Sequence, residues 1–243
     1  MLPDRFAPFV ASPRRAALFV DFDGTLAEIH PDPSAAVPRD EVPAILRRLA
    51  GHLGRVAVVS GRPVAYLDPL VPAEVDVVGL YGLEWRHEGR IVTLDEAERW
   101  RPVVAEAAAA AARRFGPDAV EPKGLSLTIH FRGGRADGEQ VAAWVADRAA
   151  ATGLEARSAR MSFELHPPVA RDKGTVVVEA GGRFAAVAYL GDDVGDLPAF
   201  AALERLADRG VDAVKVAVAS PEAPPELVER ADLVVDGPEG AER

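Results

Sequence analysis

Apolar residues recur in two rhythms along this chain, and the change of rhythm divides it. Continuous apolar runs at Ala16–Val20, Arg55–Val59, Val75–Leu80 and Ala185–Leu190 predict buried parallel strands, whose two faces are both covered. Shorter runs at Ala213–Val218 and Leu233–Val235 bring the expected core to about six strands. Between them Val42, Ile45, Leu46, Leu49 and Leu53 fall at helical spacing, and Thr175 to Ala180 is helical in character. Residues 1–15 are aperiodic and predict a loosely packed lead-in. Glu28 to Pro38 holds three prolines and predicts a loop.

After residue 83 the rhythm changes. Trp100, Val103, Val104, Ala107, Ala108, Ala111 and Phe115 mark a long amphipathic helix. Residues 119–122 and 125–132 follow as a hairpin with Lys123-Gly124 at its turn. A second helix carries Val141, Trp144, Val145 and Ala149, and strands are expected at 154–159 and 161–166. An αββαββ order differs from the βα alternation around it. The expected class is α/β, with a parallel-sheet core from residues 1–83 and 168–243 and an inserted antiparallel α+β module at 84–167.

The strands of that module alternate. Leu125, Leu127, Ile129 and Phe131 point one way, and Ser126, Thr128, His130 and Arg132 the other. In the last strand Phe163 and Leu165 oppose Glu164 and His166. A sheet packed on two helices by its apolar face would display His130, Arg132 and Glu164 together. On pattern alone a solvated outer face explains these residues equally well.

Chemistry concentrates where the core strands end. The first apolar run stops at Asp21-Phe22-Asp23-Gly24-Thr25, two carboxylates one residue apart followed by a turn. The second stops at Ser60-Gly61-Arg62, which alone is a weak motif. Lys173 opens a helix, and the fourth run stops at Gly191-Asp192-Asp193-Val194-Gly195-Asp196. Open α/β sheets place ligands at the C-terminal ends of their strands. Acids gathered there would repel one another unless a hard cation neutralised them. Mg²⁺ fits, because it binds through one or two carboxylates, water and phosphate oxygens. A carboxylate beside the metal could attack phosphorus, and a second could act as acid and then base. Lys173 and Ser60 could hold phosphoryl oxygens as charge redistributes.

Composition sharpens this picture. A net charge of −10 over 243 residues argues against a sequence-independent nucleic-acid binder. It also means that an anionic substrate needs local positive charge, and Lys occurs only at Lys123, Lys173 and Lys215. Cys is absent, so disulfide and thiolate chemistry are excluded. No apolar run approaches the roughly 20 residues that span a bilayer. No basic segment leads into a long apolar stretch, which makes the cytoplasm the default location.

The order Asp21-Phe22-Asp23-Gly24-Thr25, Ser60, Lys173 and Gly191-Asp192-Asp193 resembles the four motifs of the haloacid dehalogenase superfamily of phosphotransferases. Within it, most of the chain is similar to the trehalose-6-phosphate phosphatases. Gly82-Leu83-Glu84, Glu121-Pro122-Lys123-Gly124 leading to His130-Phe131-Arg132, Glu164 before Pro167, and Val235-Asp236-Gly237-Pro238 carry that closer resemblance.

The resemblance implies a Rossmann-like core with a cap inserted between the second and third motifs. It implies Asp21 as nucleophile and Asp23 as general acid/base, with Thr25, Ser60 and Lys173 completing the catalytic set. Mg²⁺ would be bound by the Asp21 side chain, the Asp23 backbone carbonyl and Asp192, with Asp193 or Asp196 in support. Glu84, Lys123, His130, Arg132 and Glu164 would form the sugar-recognising face. The implied activity is hydrolysis of trehalose 6-phosphate, and the implied partner is a small-molecule sugar phosphate, with no nucleic acid or membrane and a monomer by default. Phosphatases of other sugar phosphates, of the sucrose or mannosylglycerate type, share the same core, as does hexose phosphomutase. A non-catalytic domain need not keep all four motif positions. Two departures stand out: Gly195 and Leu197 occupy positions where the family usually has Thr and Glu, and Val216 to Ser220 lacks the usual glycine-rich stretch.

Overall fold

A computed structural model describes the chain except residues 1–3, 31, 33–34, 135, 160 and 221–222 and the side chain of Ala159. Three residues of the proline-rich loop, Pro31, Pro33 and Ser34, thus lie outside the described residues. In chain order the strands are β1 Ala16–Val20, β2 Arg55–Val59, β3 Asp76–Gly79, β4 Glu84–His87, β5 Arg90–Thr93, β6 Val120–Pro122, β7 Leu127–His130, β8 Glu155–Ala159, β9 Ser162–His166, β10 Ala186–Gly191, β11 Asp212–Ala219 and β12 Leu233–Asp236. The helices that matter below are α1 Ala7–Ala11, α2 Val42–His52, α3 Val64–Leu67, α4 Asp95–Glu98, α5 Arg101–Phe115, α6 Gly138–Thr152, α7 Lys173–Gly181 and α8 Leu197–Ala207.

The chain divides into two compact units, Met1–Val92 with Arg171–Arg243, and Thr93–Ala170. In the first, eight strands form one sheet in the order β12-β11-β10-β1-β2-β3-β4-β5. The six strands from β12 to β3 run parallel, and β4 turns antiparallel on β3. The pattern along β1 follows from burial on both faces. Ala16 and Val20 pack into one apolar cluster with Val42 and Leu46 of α2. Ala17 and Phe19 pack into another with Val177 of α7 and Phe200 and Leu203 of α8. A strand sandwiched in this way has no position for a polar side chain, hence the unbroken run.

Two elements depart from the pattern-based expectation. Residues 4–15 are not loose: Phe9 of α1 is buried in the core, and Arg15 O and Pro13 O accept backbone bonds from Ala185 and Gly54. Short helical turns without a sustained period hid this packing. The β4–β5 hairpin was not anticipated, because Glu84-Trp85-Arg86-His87 is too polar to read as a strand. Val78 pairs with Trp85 and Gly79 with Glu84, which ties this hairpin to the sheet of the first unit. The second unit therefore starts at Thr93, where the sequence suggested 84.

The second unit runs α5-β6-β7-α6-β8-β9, the expected αββαββ order. Its four strands form an antiparallel sheet in the order β6-β7-β9-β8. Val104, Ala107 and Ala111 of α5 and Val141 and Val145 of α6 bury Leu127, Ile129 and Leu165 of the sheet. Asp137 accepts a bond from Gln140 N and so starts α6. Among the described residues no helix is long and apolar enough to cross a membrane.

Candidate active site

The site forms at the C-terminal ends of β1, β2 and β10 in the first unit. Asp21 stays on the ladder, its N–H donating to Leu190 O at 2.9 Å, so its buried side chain has a fixed direction. Beyond it the chain turns through Gly24 at φ +77°. A Cβ on Gly24 would lie 2.1 Å from Asp192 Oδ2, so only glycine brings this turn against the loop after β10. Thr25 is buried beside the turn, and its Oγ1 has no hydrogen-bond partner among the described residues.

Lys173 is the first residue of α7, whose start is fixed by Asp172 accepting from Thr175 N at 2.7 Å. Its buried ammonium bridges Asp21 Oδ1 at 2.7 Å and Asp196 Oδ1 at 2.6 Å. Asp196 is completely buried and is the hub of the β10 loop. Its Oδ1 also accepts from the Tyr189 hydroxyl at 2.6 Å, and its Oδ2 from the N–H groups of Asp192 and Asp193 at 2.9 and 3.0 Å. Four donors match the roughly four lone-pair sites of a carboxylate. Asp196 thus shapes the loop that presents Asp192. Sequence reasoning missed Tyr189, whose one visible signal is a lone hydroxyl inside a buried apolar strand.

On the other side of β1, Ser60 is buried and its Oγ accepts from Arg62 N at 3.1 Å. Arg62 grips Asp23 with Nε on Oδ2 at 2.8 Å and Nη2 on Oδ1 at 2.7 Å, and its guanidinium lies 4.5 Å from the centre of the Tyr66 ring. Reading Ser60-Gly61-Arg62 as a weak turn motif overlooked this arginine. Glu84 needs a correction: it sits on β4 of the first unit, and its Oε1 accepts from Val64 N at the start of α3. It supports the segment following Ser60 and is not part of the sheet face of the second unit.

That sheet face carries the remaining candidates. Glu164 on β9 lies opposite Thr128 on β7 and accepts from Ser126 Oγ at 2.6 Å, with Lys123 Nζ 3.9 Å away. His130, two residues along, pairs with Glu121 at 2.9 Å. Arg132 lies beyond the end of β7, in the turn 132–134, and does not share the strand geometry. Arg157, which the sequence reading passed over, faces Glu164 from β8.

Residues 19–227 match the trehalose-phosphatase family. The chain belongs to that family. A trehalose-phosphate phosphatase of Mycobacterium avium is 35% identical over 204 residues, covering 78% of this chain and 52% of the relative. A probable trehalose-phosphate phosphatase of Sinorhizobium fredii is 34% identical over 203 residues, covering 78% and 74%. The chain thus spans about half the length of the mycobacterial relative. The solved C-terminal domain of Candida albicans trehalose-6-phosphate phosphatase superposes with a TM-score of 0.77 at 21% identity, over 99% of this chain and 95% of that one. A haloacid dehalogenase-like hydrolase from Bacteroides thetaiotaomicron gives 0.60 at 15% identity, over 93% and 97%. These structures confirm the haloacid dehalogenase-like fold.

In this trehalose-phosphatase family member the electrostatics favour added positive charge at the cluster. Burial pushes the Asp21 carboxyl well above its ordinary pKa; Lys173 opposes the shift, while Asp196, Asp192 and Asp193 reinforce it. Burial alone would lower the Lys173 pKa, but Asp196 and Asp21 raise it well above the usual value. Oxygens of Asp21, Asp192 and Asp196 lie within 4.8 Å of one another, and one ammonium cannot balance three buried carboxylates. All-oxygen donors of this kind suit a hard divalent ion. Gly195 and Leu197, where the family usually has Thr and Glu, leave the loop intact. Gly195 N still donates to Asp193 Oδ1 at 2.7 Å, and Leu197 packs into the core beside α7 and α8.

Proposed function

We propose that this chain hydrolyses trehalose 6-phosphate to trehalose and inorganic phosphate, with Mg²⁺ and through a phosphorylated Asp21. The observation that supports it most is the Asp21–Lys173–Asp196 bridge beside Asp192, at the end of β1. It supports Asp21 as the nucleophile, a buried carboxylate held in one place with an ammonium beside it.

The Asp21 carboxylate forms a bond to phosphorus as the bond from phosphorus to the sugar oxygen breaks, and the Asp23 carboxyl gives its proton to the departing oxygen. Water then attacks the aspartyl phosphate, Asp23 takes its proton, and phosphate leaves with Asp21 restored. Lys173 and Ser60 hold phosphoryl oxygens during both steps, and Thr25 completes the turn that carries Asp23. Asp21, Asp192 and the Asp23 backbone carbonyl would hold Mg²⁺, which supplies positive charge to the phosphoryl oxygens when bound. The sugar is read by Lys123, Glu164 and His130 on the second unit, with Arg132 in the adjoining turn.

A phosphate-release screen tests this reading. Trehalose 6-phosphate, sucrose 6-phosphate, a mannosylglycerate phosphate and glucose 6-phosphate are offered with Mg²⁺ and with chelator. Trehalose 6-phosphate is expected to give the highest kcat/KM, and only with metal. Preference for another sugar phosphate would reassign the substrate. Turnover that needs a bisphosphate activator would reassign the reaction to a mutase.

A further inference from the structure

The proposed chemistry makes no use of Tyr81, yet the chain is bent out of its ordinary range to place it. Leu80, Tyr81 and Gly82 have φ of +49°, +58° and +99°. Glycine adopts such values freely, but Leu and Tyr do not, and strain of this kind gathers at functional sites. Backbone bonds hold the turn against the segment after β2: Leu80 N donates to Arg62 O and Tyr81 N to Ser60 O, each at 3.0 Å.

What the turn secures is the position of the Tyr81 ring. A Cβ on Gly61 would lie 2.6 Å from both Cζ and Oη of Tyr81 and 2.9 Å from Cε2. At the other edge a Cβ on Gly195 would lie 3.8 Å from Cε1, and 3.0 Å from Asp193 Oδ1. Neither glycine has the left-handed φ that would itself call for glycine; at Gly61 the missing side chain makes room for the ring. Gly61 follows β2 and Gly195 follows β10, and these strands flank β1 in the sheet. The ring therefore packs against the loop of Ser60 and lies near the loop of Asp192, at the end of the strand that leads to Asp21.

We propose that Tyr81 is a positioning residue whose ring sets the separation of the Ser60 and Asp192 loops, and so the fit of a phosphoryl group. The inference rests on the reading that those loops hold phosphate and cation, and it deepens that reading. Tyr81 acts through Ser60 and Asp192 by the place its ring occupies.

The test compares Tyr81→Phe, Tyr81→Gly and Gly61→Ala. Glycine removes the ring and the backbone strain together, and the thermal melt shows whether the fold is kept. Inorganic phosphate binding is titrated calorimetrically with Mg²⁺, alongside KM and kcat for p-nitrophenyl phosphate and a thermal melt. Tyr81→Gly is expected to weaken phosphate binding and raise KM by about tenfold or more, with a smaller change in kcat, while Tyr81→Phe stays within about threefold of the parent. Gly61→Ala, which displaces the ring, should weaken phosphate binding similarly and add little in the Tyr81→Gly background. Unchanged phosphate binding in Tyr81→Gly or in Gly61→Ala overturns the proposal. So does an equal loss in Tyr81→Phe, which would transfer the role to the hydroxyl. If the parent failed to turn over any phosphomonoester, the phosphatase reading would fall instead, and phosphate titration would still judge Tyr81.

Discussion

Arg62 holds Asp23 by both carboxylate oxygens, Nε on Oδ2 and Nη2 on Oδ1, at 2.8 and 2.7 Å. The grip fixes the carboxyl in one plane while leaving each oxygen a lone pair for proton transfer. An ammonium cannot reproduce a two-point grip. Arg62→Lys should therefore keep the fold and lower kcat by roughly 10–100-fold, since a misplacement of about 1 Å costs that much. Asp23→Asn removes the proton itself and should cost about 10²–10⁴-fold. Steady-state kinetics on trehalose 6-phosphate check both. An Arg62→Lys enzyme with parental kcat would show that the grip is incidental.

Lys173 ties two buried carboxylates together, so its loss is a stability event as well as a catalytic one. Lys173→Ala leaves Asp21 and Asp196 without their ammonium, and breaking a buried pair costs about 3–5 kcal/mol. Chemical denaturation should show this loss in the absence of Mg²⁺, with part of it regained when the ion binds. Unaltered stability without metal would mean that the bridge contributes nothing net.

Asp21 gives a pH signature. Its folded-state pKa lies above the ordinary carboxyl value, burial being the first cause. The folded state therefore holds this proton more tightly than the unfolded chain does. The stability that this group contributes is full in acid and is lost as pH rises through the raised value. Metal-free Asp21→Asn, which has no charge to bury, should melt above the parent at neutral pH. The difference should shrink as pH falls toward about 4, where the ordinary carboxyl protonates. Melting curves with chelator across that range decide it, and a constant difference would contradict the assignment.

The strands of the first sheet were legible because burial on both faces leaves an unbroken apolar run, as Ala16–Val20 shows. Part of the cluster was legible because its side chains sit near where those runs stop: Lys173 bridges Asp21, and Asp192 lies beside it, while Ser60 follows the neighbouring strand and its Oγ accepts from Arg62 N. The β4–β5 hairpin was hidden because Glu84 and Arg86 are polar yet paired by backbone. Glu84 bonds to Val64 N and Arg86 to the carbonyls of Val71, Pro72 and Val75. Arg62 and Tyr81 could not be read, because their contacts join loops far apart in sequence, and Tyr189 could not because an apolar run does not show where its hydroxyl reaches.

The proposed function leaves sugar specificity to the polar sheet face of the second unit. Glu164 accepts from Ser126 and lies 3.9 Å from Lys123, an acceptor and a donor at fixed positions for sugar hydroxyls. A lost partner leaves a polar group unpaired at about 1–3 kcal/mol. Glu164→Ala and Lys123→Ala should lower kcat/KM for trehalose 6-phosphate by roughly 10–100-fold, and by far less for p-nitrophenyl phosphate. Equal losses on both substrates would indicate damage to the fold and not lost recognition.

The most direct test is phosphate release from trehalose 6-phosphate with Mg²⁺, measured side by side for the parent chain and Asp21→Asn at matched folded concentration. The parent is expected to release phosphate continuously, and Asp21→Asn to show no turnover above background while binding substrate. Comparable release by both proteins, or none by the parent, would contradict the account.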